Sequence, residues 1–167
     1  IFEKRLQAPE AMVCIPWLTQ ANPLLPGYRG GGTFAGVSDH VEPEDFLRAL
    51  AAGLCFEFYR VFCDLKNRGA IDGIVLGGGA SKGPFFRTLL ASLFHPLPTV
   101  SVMDEDLAGT RGALAPFSAA VCRSEDKPVP LPPEAEMDAI RAQYQSYLAS
   151  FDAIYAQHPA AGAYRLA

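Results

Sequence analysis

The chain has 167 residues, half of them hydrophobic and 19% charged, which is enough for one domain with a packed core and is neither a disordered nor a fibrous composition. A formal net charge of −4 argues against a broad basic surface for nucleic acid. No apolar run reaches the roughly 18 residues of a membrane span, and no signal-peptide pattern follows Ile1, with Glu3, Lys4 and Arg5 standing close behind it.

Cys14, Cys55, Cys63 and Cys122 contain no C-x-x-C pair, so no zinc or dithiol site is indicated and a reduced, cytoplasmic setting is expected. Because the first residue is Ile1 and not Met, a piece of a longer protein is expected.

In chain order, "AMVCIPWL" at residues 11–18 reads as extended, with Pro16 marking an edge or a strand end. Residues 20–32 are rich in Asn, Pro and Gly and read as a loop. "GTFAGVS", Gly32 to Ser38, reads as a short strand. The longest helix follows, with Pro43 at its first position and Glu44 and Asp45 on its positive end. Phe46, Leu50, Leu54, Phe58 and Phe62, flanked by Leu47, Val61 and Leu65, predict a wide buried face. Glu57 with Arg60, and Arg60 with Asp64, are expected to pair on the exposed side. Gly53 is expected to mark a close helix contact, and Asn67 and Gly69 to end the helix.

"IDGIVLGGG" reads as a strand running into a glycine turn. Pro84 opens a second helix whose buried set is Phe85, Phe86, Leu89, Leu90, Leu93 and Phe94, closed by His95 and Pro96. "TVSVM" is a third strand. A helix is expected from about residue 107 to 122, disturbed by Pro116, and residues 124–133 read as a Pro-rich connector. A last helix over residues 133–157 carries Met137, Ile140, Tyr144, Tyr147, Leu148, Phe151 and Tyr155. Residues 1–158 are expected to belong to one domain and 159–167 to form a frayed tail. The strand-helix-strand-helix-strand-helix order predicts an α/β fold with parallel neighbours and right-handed crossovers.

In such a fold ligands bind beyond the carboxyl ends of the strands. Gly77, Gly78 and Gly79 stand at such an end. Without Cβ atoms they let the backbone turn sharply and let a flat ligand touch it, and the helix start that follows offers free N–H groups. A nucleotide is the natural ligand; a tight turn needing positive φ is the bland alternative. The Walker pattern is absent, because Lys82 precedes Gly83 with no Ser or Thr after it. The G-x-G-x-x-G pattern fails by one residue across Gly77, Gly79 and Gly83, although Asp104 stands where a ribose-binding acid belongs.

Four blocks in order resemble the FGGY family of carbohydrate kinases. "IVLGGGASKGPFFRTLLASLF" is similar to its adenosine motif, GGGAxSxxWxQxxAD, with Gly77, Gly78, Gly79 and Ala80 matching, Phe86 in place of Trp and Ala91-Ser92 in place of Ala-Asp. "RALAAGLCFEF" resembles the RAxxEGxxF helix through Arg48, Ala49, Gly53 and Phe56, with Ala52 where the family has Glu. "LAGTRGALAPFSAAV" resembles the GAAxxAxxxxG helix through Gly112, Ala113 and Ala115. "IPWLTQANPLLPGYRGGGTFAGVS" resembles PyLxGERxPxxxxxxRGxxxGL through Pro16, Leu18, Pro23, Arg29, Gly30 and Gly36, with Gln20-Ala21-Asn22 replacing GER and two extra residues in the glycine stretch.

The resemblance implies a ribonuclease H-like, actin- and hexokinase-like ATPase fold, of which this chain is the later part of the C-terminal, adenosine-binding domain. It implies transfer of the γ-phosphoryl of ATP, with Mg²⁺, to a sugar or polyol hydroxyl such as that of a pentulose. It implies nucleotide contacts from Gly77, Gly78, Gly79, Ala80, Ser81 and Lys82. It also implies the N-terminal domain and upstream part of the same enzyme as partners, with room for a homodimer and without nucleic acid or membrane. The family's D-x-G-T phosphate loop, its catalytic Asp motif and its G-T-[GS] turn do not occur, so the chain by itself is expected to be inactive. Two other readings stand beside this one: a noncatalytic actin-like interaction module, and an NAD-dependent oxidoreductase domain. Asp39, Glu42, Asp104, Glu105 and Asp106 are expected to be caps or solvated charges, and His40, His95 and His158 have no ligand spacing. The resemblance places "GTFAGVS" as the third strand of a five-stranded sheet whose first two strands precede Ile1. An open sheet edge and a partly wet long helix are therefore expected, in a chain that is ordered beside other polypeptide.

Overall fold

The computed structural model describes residues 12–17, 31–102, 117 and 126–155. Strands β1 (Val13–Ile15) and β2 (Thr33–Ala35) pair antiparallel, with Cys14 opposite Phe34. β1 ends one residue before Pro16, which has no N–H to continue a ladder. Helix α1 (Pro43–Lys66) follows. Then come β3 (Ile74–Leu76), a 3₁₀ turn (Gly79–Lys82) and α2 (Pro84–Phe94). The described chain is completed by β4 (Thr99–Val102), β5 (Asp126–Pro128) and α3 (Glu134–Tyr155). Apart from residue 117, the expected helix over residues 107–122 lies outside the described residues, as does the tail over 159–167.

Three expectations about the strands change. Among the described residues only β3 and β4 are parallel neighbours; β1 with β2 and β4 with β5 are antiparallel. The strand beside "GTFAGVS" is β1 of this same chain, where polypeptide before Ile1 was expected. The Pro-rich connector contains a strand, β5. Its proline is tolerated because β5 lies at the edge of the order β3-β4-β5, where one side needs no donor. The amide of Val129 then donates to the Thr99 carbonyl at 3.0 Å and extends the pairing.

α1 begins on Glu42, whose amide donates to the Asp45 carboxylate at 3.1 Å. Asp45 is fully buried and also holds Arg48 at 2.8 Å, so the acid at the positive helix end is part of the core boundary. At the other end the amide of Asn67 reaches the Asp64 carbonyl at 3.2 Å. The buried face is built largely from small residues, Ala49, Ala51, Ala52, Gly53 and Cys55, with Phe56. A Cβ at Gly53 would lie 2.1 Å from the backbone oxygen of Cys14. The close contact expected at Gly53 is therefore made with strand β1.

The expected stripe of apolar residues does not all face inward. Phe62 is buried and Phe46 and Leu50 are half-buried, but Leu54 and Phe58 are exposed. Steps of four residues on a helix of about 3.6 residues per turn advance by about 40° each, so the run from Phe46 to Phe62 winds from one face to another. Exposed instead is a straight stripe, Leu47, Leu54, Phe58, Val61 and Leu65.

Arg60 and Glu57 also depart from expectation, because their side chains are buried at 12% and 10% exposure. The Arg60 guanidinium donates to both Glu57 oxygens, at 3.1 and 2.9 Å. The Tyr147 hydroxyl on α3 donates to the same carboxylate, and the Phe151 ring lies 4.7 Å under the guanidinium. α3 therefore covers the side of α1 that was expected to be wet, and Asp64 pairs with Arg68 at 2.9 Å and not with Arg60. The rest of the core joins α1, α2 and α3 through Phe56, Leu89, Ile140 and Tyr144. Phe62 meets Phe94 of α2 edge-on at 4.8 Å.

Gly53→Ala is expected to destabilise the chain. The better helix propensity of Ala is worth about 1 kcal/mol. Against this, a Cβ driven into a backbone oxygen costs about 1–3 kcal/mol or more, because the strand must shift. A urea midpoint that rises in Gly53→Ala would contradict the contact.

Candidate functional site

β3 lies parallel to β4, with Leu76 opposite Ser101, and Leu76 is buried against Phe62 and Phe94. That packing fixes where the chain leaves the sheet. Gly77 and Gly79 are exposed and Gly78 is half-buried. Gly78 has φ 89° and ψ 176°, a conformation essentially closed to residues with a Cβ. A Cβ added at Gly77, Gly78 or Gly79 would meet nothing within 4 Å. Only Gly78 is thus demanded by backbone conformation. At Gly77 and Gly79 the absence of a side chain leaves open space over the backbone.

The turn is braced from inside. The Ser81 hydroxyl donates to the Gly78 carbonyl at 2.8 Å, and the Ser81 amide reaches the same oxygen at 3.1 Å. Ser81 is buried, so of the residues singled out from the sequence it is turned toward the protein. Ala80 and Lys82 are exposed. The Gly83 amide donates to the Ala80 carbonyl at 3.3 Å, and Gly83 caps α2. Pro84 occupies the first helical position, where a missing N–H costs nothing. Phe86, which replaces the tryptophan of the adenosine motif, is half-buried and meets Phe85 edge-on at 5.5 Å.

Chemically the turn offers bare backbone, one cation and the opening of a helix. That suits a flat, uncharged ring system with an anionic extension, and it supplies no acid or base. Among the described residues no three His, Cys, Asp or Glu side chains gather to hold a metal. Burial pushes the Cys14 thiol up to about 11 and raises that of Cys55 further, which leaves both as inert core residues. His40 and His95 are exposed, His40 beside Asp39 at 3.4 Å. Asp104, Glu105, Asp106 and His158 lie outside the described residues.

The family model for the FGGY family of carbohydrate kinases, C-terminal domain, matches residues 3–120. The chain belongs to the FGGY carbohydrate kinases, as C-terminal domain. Solved structures agree in fold. A xyloylose kinase from Brucella ovis aligns over 91% of this chain at 19% identity and TM-score 0.68. A ligand-bound xylulose kinase from Lactobacillus acidophilus aligns over 90% at 22% identity and TM-score 0.68. A gluconate kinase from Lactobacillus acidophilus aligns over 90% at 21% identity and TM-score 0.64. The fold is that of the actin- and hexokinase-like ATPases. The alignment covers 33% of each of these three chains, so the present chain spans about a third of their length.

The two kinds of glycine in the turn are separable. Gly78→Ala is expected to lose about 1–3 kcal/mol through backbone strain. Gly79→Ala is expected to stay within about 0.5 kcal/mol of the parent or to gain slightly. Equal unfolding midpoints for the two variants would contradict the strained turn.

Proposed function

We propose that this chain forms the adenosine-binding side of a carbohydrate kinase that moves the γ-phosphoryl of ATP onto a sugar or polyol hydroxyl. The observation that carries the reading is the open backbone at Gly77 and Gly79, set at the carboxyl end of a parallel strand and braced by Ser81. Adenine and ribose lie along this strip, with Ala80 and Lys82 at its rim. A Cβ-free surface lets a ring approach to van der Waals distance of the backbone, a contact that contributes dispersion and excludes water. Ser81 acts through Gly78: its hydroxyl keeps the carbonyl turned inward and the strip flat.

Xylulose and gluconate kinases among the structural neighbours favour a pentulose or sugar acid as acceptor. When bound, Mg²⁺ supplies charge neutralisation on the phosphates. Its ligands, and the carboxylate that takes the acceptor proton, come in this reading from the preceding part of the enzyme. Residues 1–158 then belong to the C-terminal nucleotide-binding domain and 159–167 to its tail. A cytoplasmic location goes with this reading, and with the free thiols Cys14, Cys55 and Cys63.

The test is calorimetric titration of Gly79→Val and of the parent full-length kinase with ATP, ADP and NADH. The parent is expected to bind the adenine nucleotides over NADH, and Gly79→Val to lose at least tenfold in affinity with an unchanged unfolding midpoint. Unchanged affinity in a folded Gly79→Val protein would overturn the site. Preference for NADH would favour the oxidoreductase alternative, and no nucleotide binding at all would favour the scaffold.

The 167-residue chain alone is expected to phosphorylate no pentulose or polyol at saturating Mg-ATP. Positioned bases and phosphate donors supply most of the rate in this chemistry. Steady product formation by the purified chain would refute this division of labour.

A further inference from the structure

We infer that the outer stripe of α1, formed by Leu47, Leu54, Phe58, Val61 and Leu65, is the seat of polypeptide that precedes this chain in the full-length kinase. The inference rests on the reading of the chain as the C-terminal part of a longer kinase.

These five side chains are 39–62% exposed. Their spacings of seven, four, three and four residues keep them on one face, within an arc of about 60° on a helix of 3.6 residues per turn. From Leu47 to Leu65 the stripe runs about 27 Å at 1.5 Å per residue. It contains no charged residue. The charged side chains Glu57, Arg60 and Asp64 lie together on a flank, where Glu57 and Arg60 are occupied by α3 and Asp64 by Arg68. The opposite face is buried against β1, α2 and α3. A helix that is apolar on two opposed faces is a helix with neighbours on both, and an apolar band of this length is more than a free surface ordinarily shows.

The occupant is argued from chain length. The matched family model is a C-terminal domain beginning at residue 3, and the solved neighbours are about three times as long as the aligned part. An N-terminal domain of such a kinase therefore precedes this chain. It is joined covalently, which gives it an effective concentration on the order of millimolar beside α1. A second copy at micromolar concentration competes poorly with a tethered segment.

The experiment introduces Phe58→Cys into the full-length kinase and into the 167-residue chain. The rate of maleimide attachment at residue 58 is then read by peptide mass, under native conditions and again in urea. Phe58 is 62% exposed, so the change leaves the chain's own core intact, which circular dichroism checks. In a full-length protein of monomer mass, attachment is expected to be at least tenfold slower than in the isolated chain, and to become equally fast in urea. Equal native rates in the two proteins would overturn the inference. Protection that disappears on dilution of either protein would also overturn it, and would assign the stripe to a second copy. Nucleotide titration of the same samples keeps the two readings apart: residue 58 protected without adenine nucleotide binding sinks only the site, and nucleotide binding with residue 58 reactive sinks only the seat.

Discussion

α1 lies against β1 because residue 53 has no side chain. The Cys14 carbonyl occupies the place where a Cβ would be, and that contact sets the height of the longest helix over the strand. Much else follows from that height. Phe56 reaches Tyr144 and Tyr147 at ring distances of 5.5 and 5.4 Å. Glu57 points to the Tyr147 hydroxyl. Two turns farther on, Phe62 meets Phe94 and so positions the end of α2. Since α2 begins at the glycine turn, the position of the candidate site is tied through this helix to one missing methyl group.

Rigidity of the turn has a separate source. Gly78 is held by conformation, and its carbonyl is engaged twice by Ser81, through amide and hydroxyl. Gly77 and Gly79 contribute space. A turn that combines a fixed carbonyl with bare neighbours holds its backbone in one conformation, and ordering costs on binding fall where a surface is already held in this way. The open surface and the brace come from adjacent residues, and neither serves without the other.

Helices α1, α2 and α3 were legible in the sequence because Pro43 and Pro84 mark starts and long apolar periods mark bodies. β3 and the turn were legible because an apolar run stops at three glycines. β5 was not: Asp126, Lys127 and Pro128 carry no strand signal, and only the neighbouring β4 makes them one. The state of Arg60 was hidden for a similar reason. Its i−3 partner is visible in sequence, but the ring that covers it stands on α3, some ninety residues away, as does the Tyr147 hydroxyl. Helix faces were blurred by arithmetic: residues four apart look like one stripe and wind slowly off it, so Phe58 and Phe62 end in opposite environments. In the turn, sequence pointed to the glycines together; only backbone angles separate Gly78 from its neighbours.

The ionisable groups bear on what such a chain can do. Among the described residues, the buried acids are already engaged: Asp45 with Arg48 and the start of α1, Glu57 with Arg60 and Tyr147. Each is a buried charge whose partner cannot be removed without leaving it uncompensated, at a cost of about 3–5 kcal/mol. A general base must instead exchange its proton near working pH and reach the acceptor hydroxyl. Glu57, held between the Arg60 guanidinium and the Tyr147 hydroxyl, ties α1 to α3. The thiols of Cys14 and Cys55 are raised by burial, away from reactivity. Among the described residues, charge sets α1 against α3, and bare backbone at Gly77 and Gly79 presents the open surface of the turn.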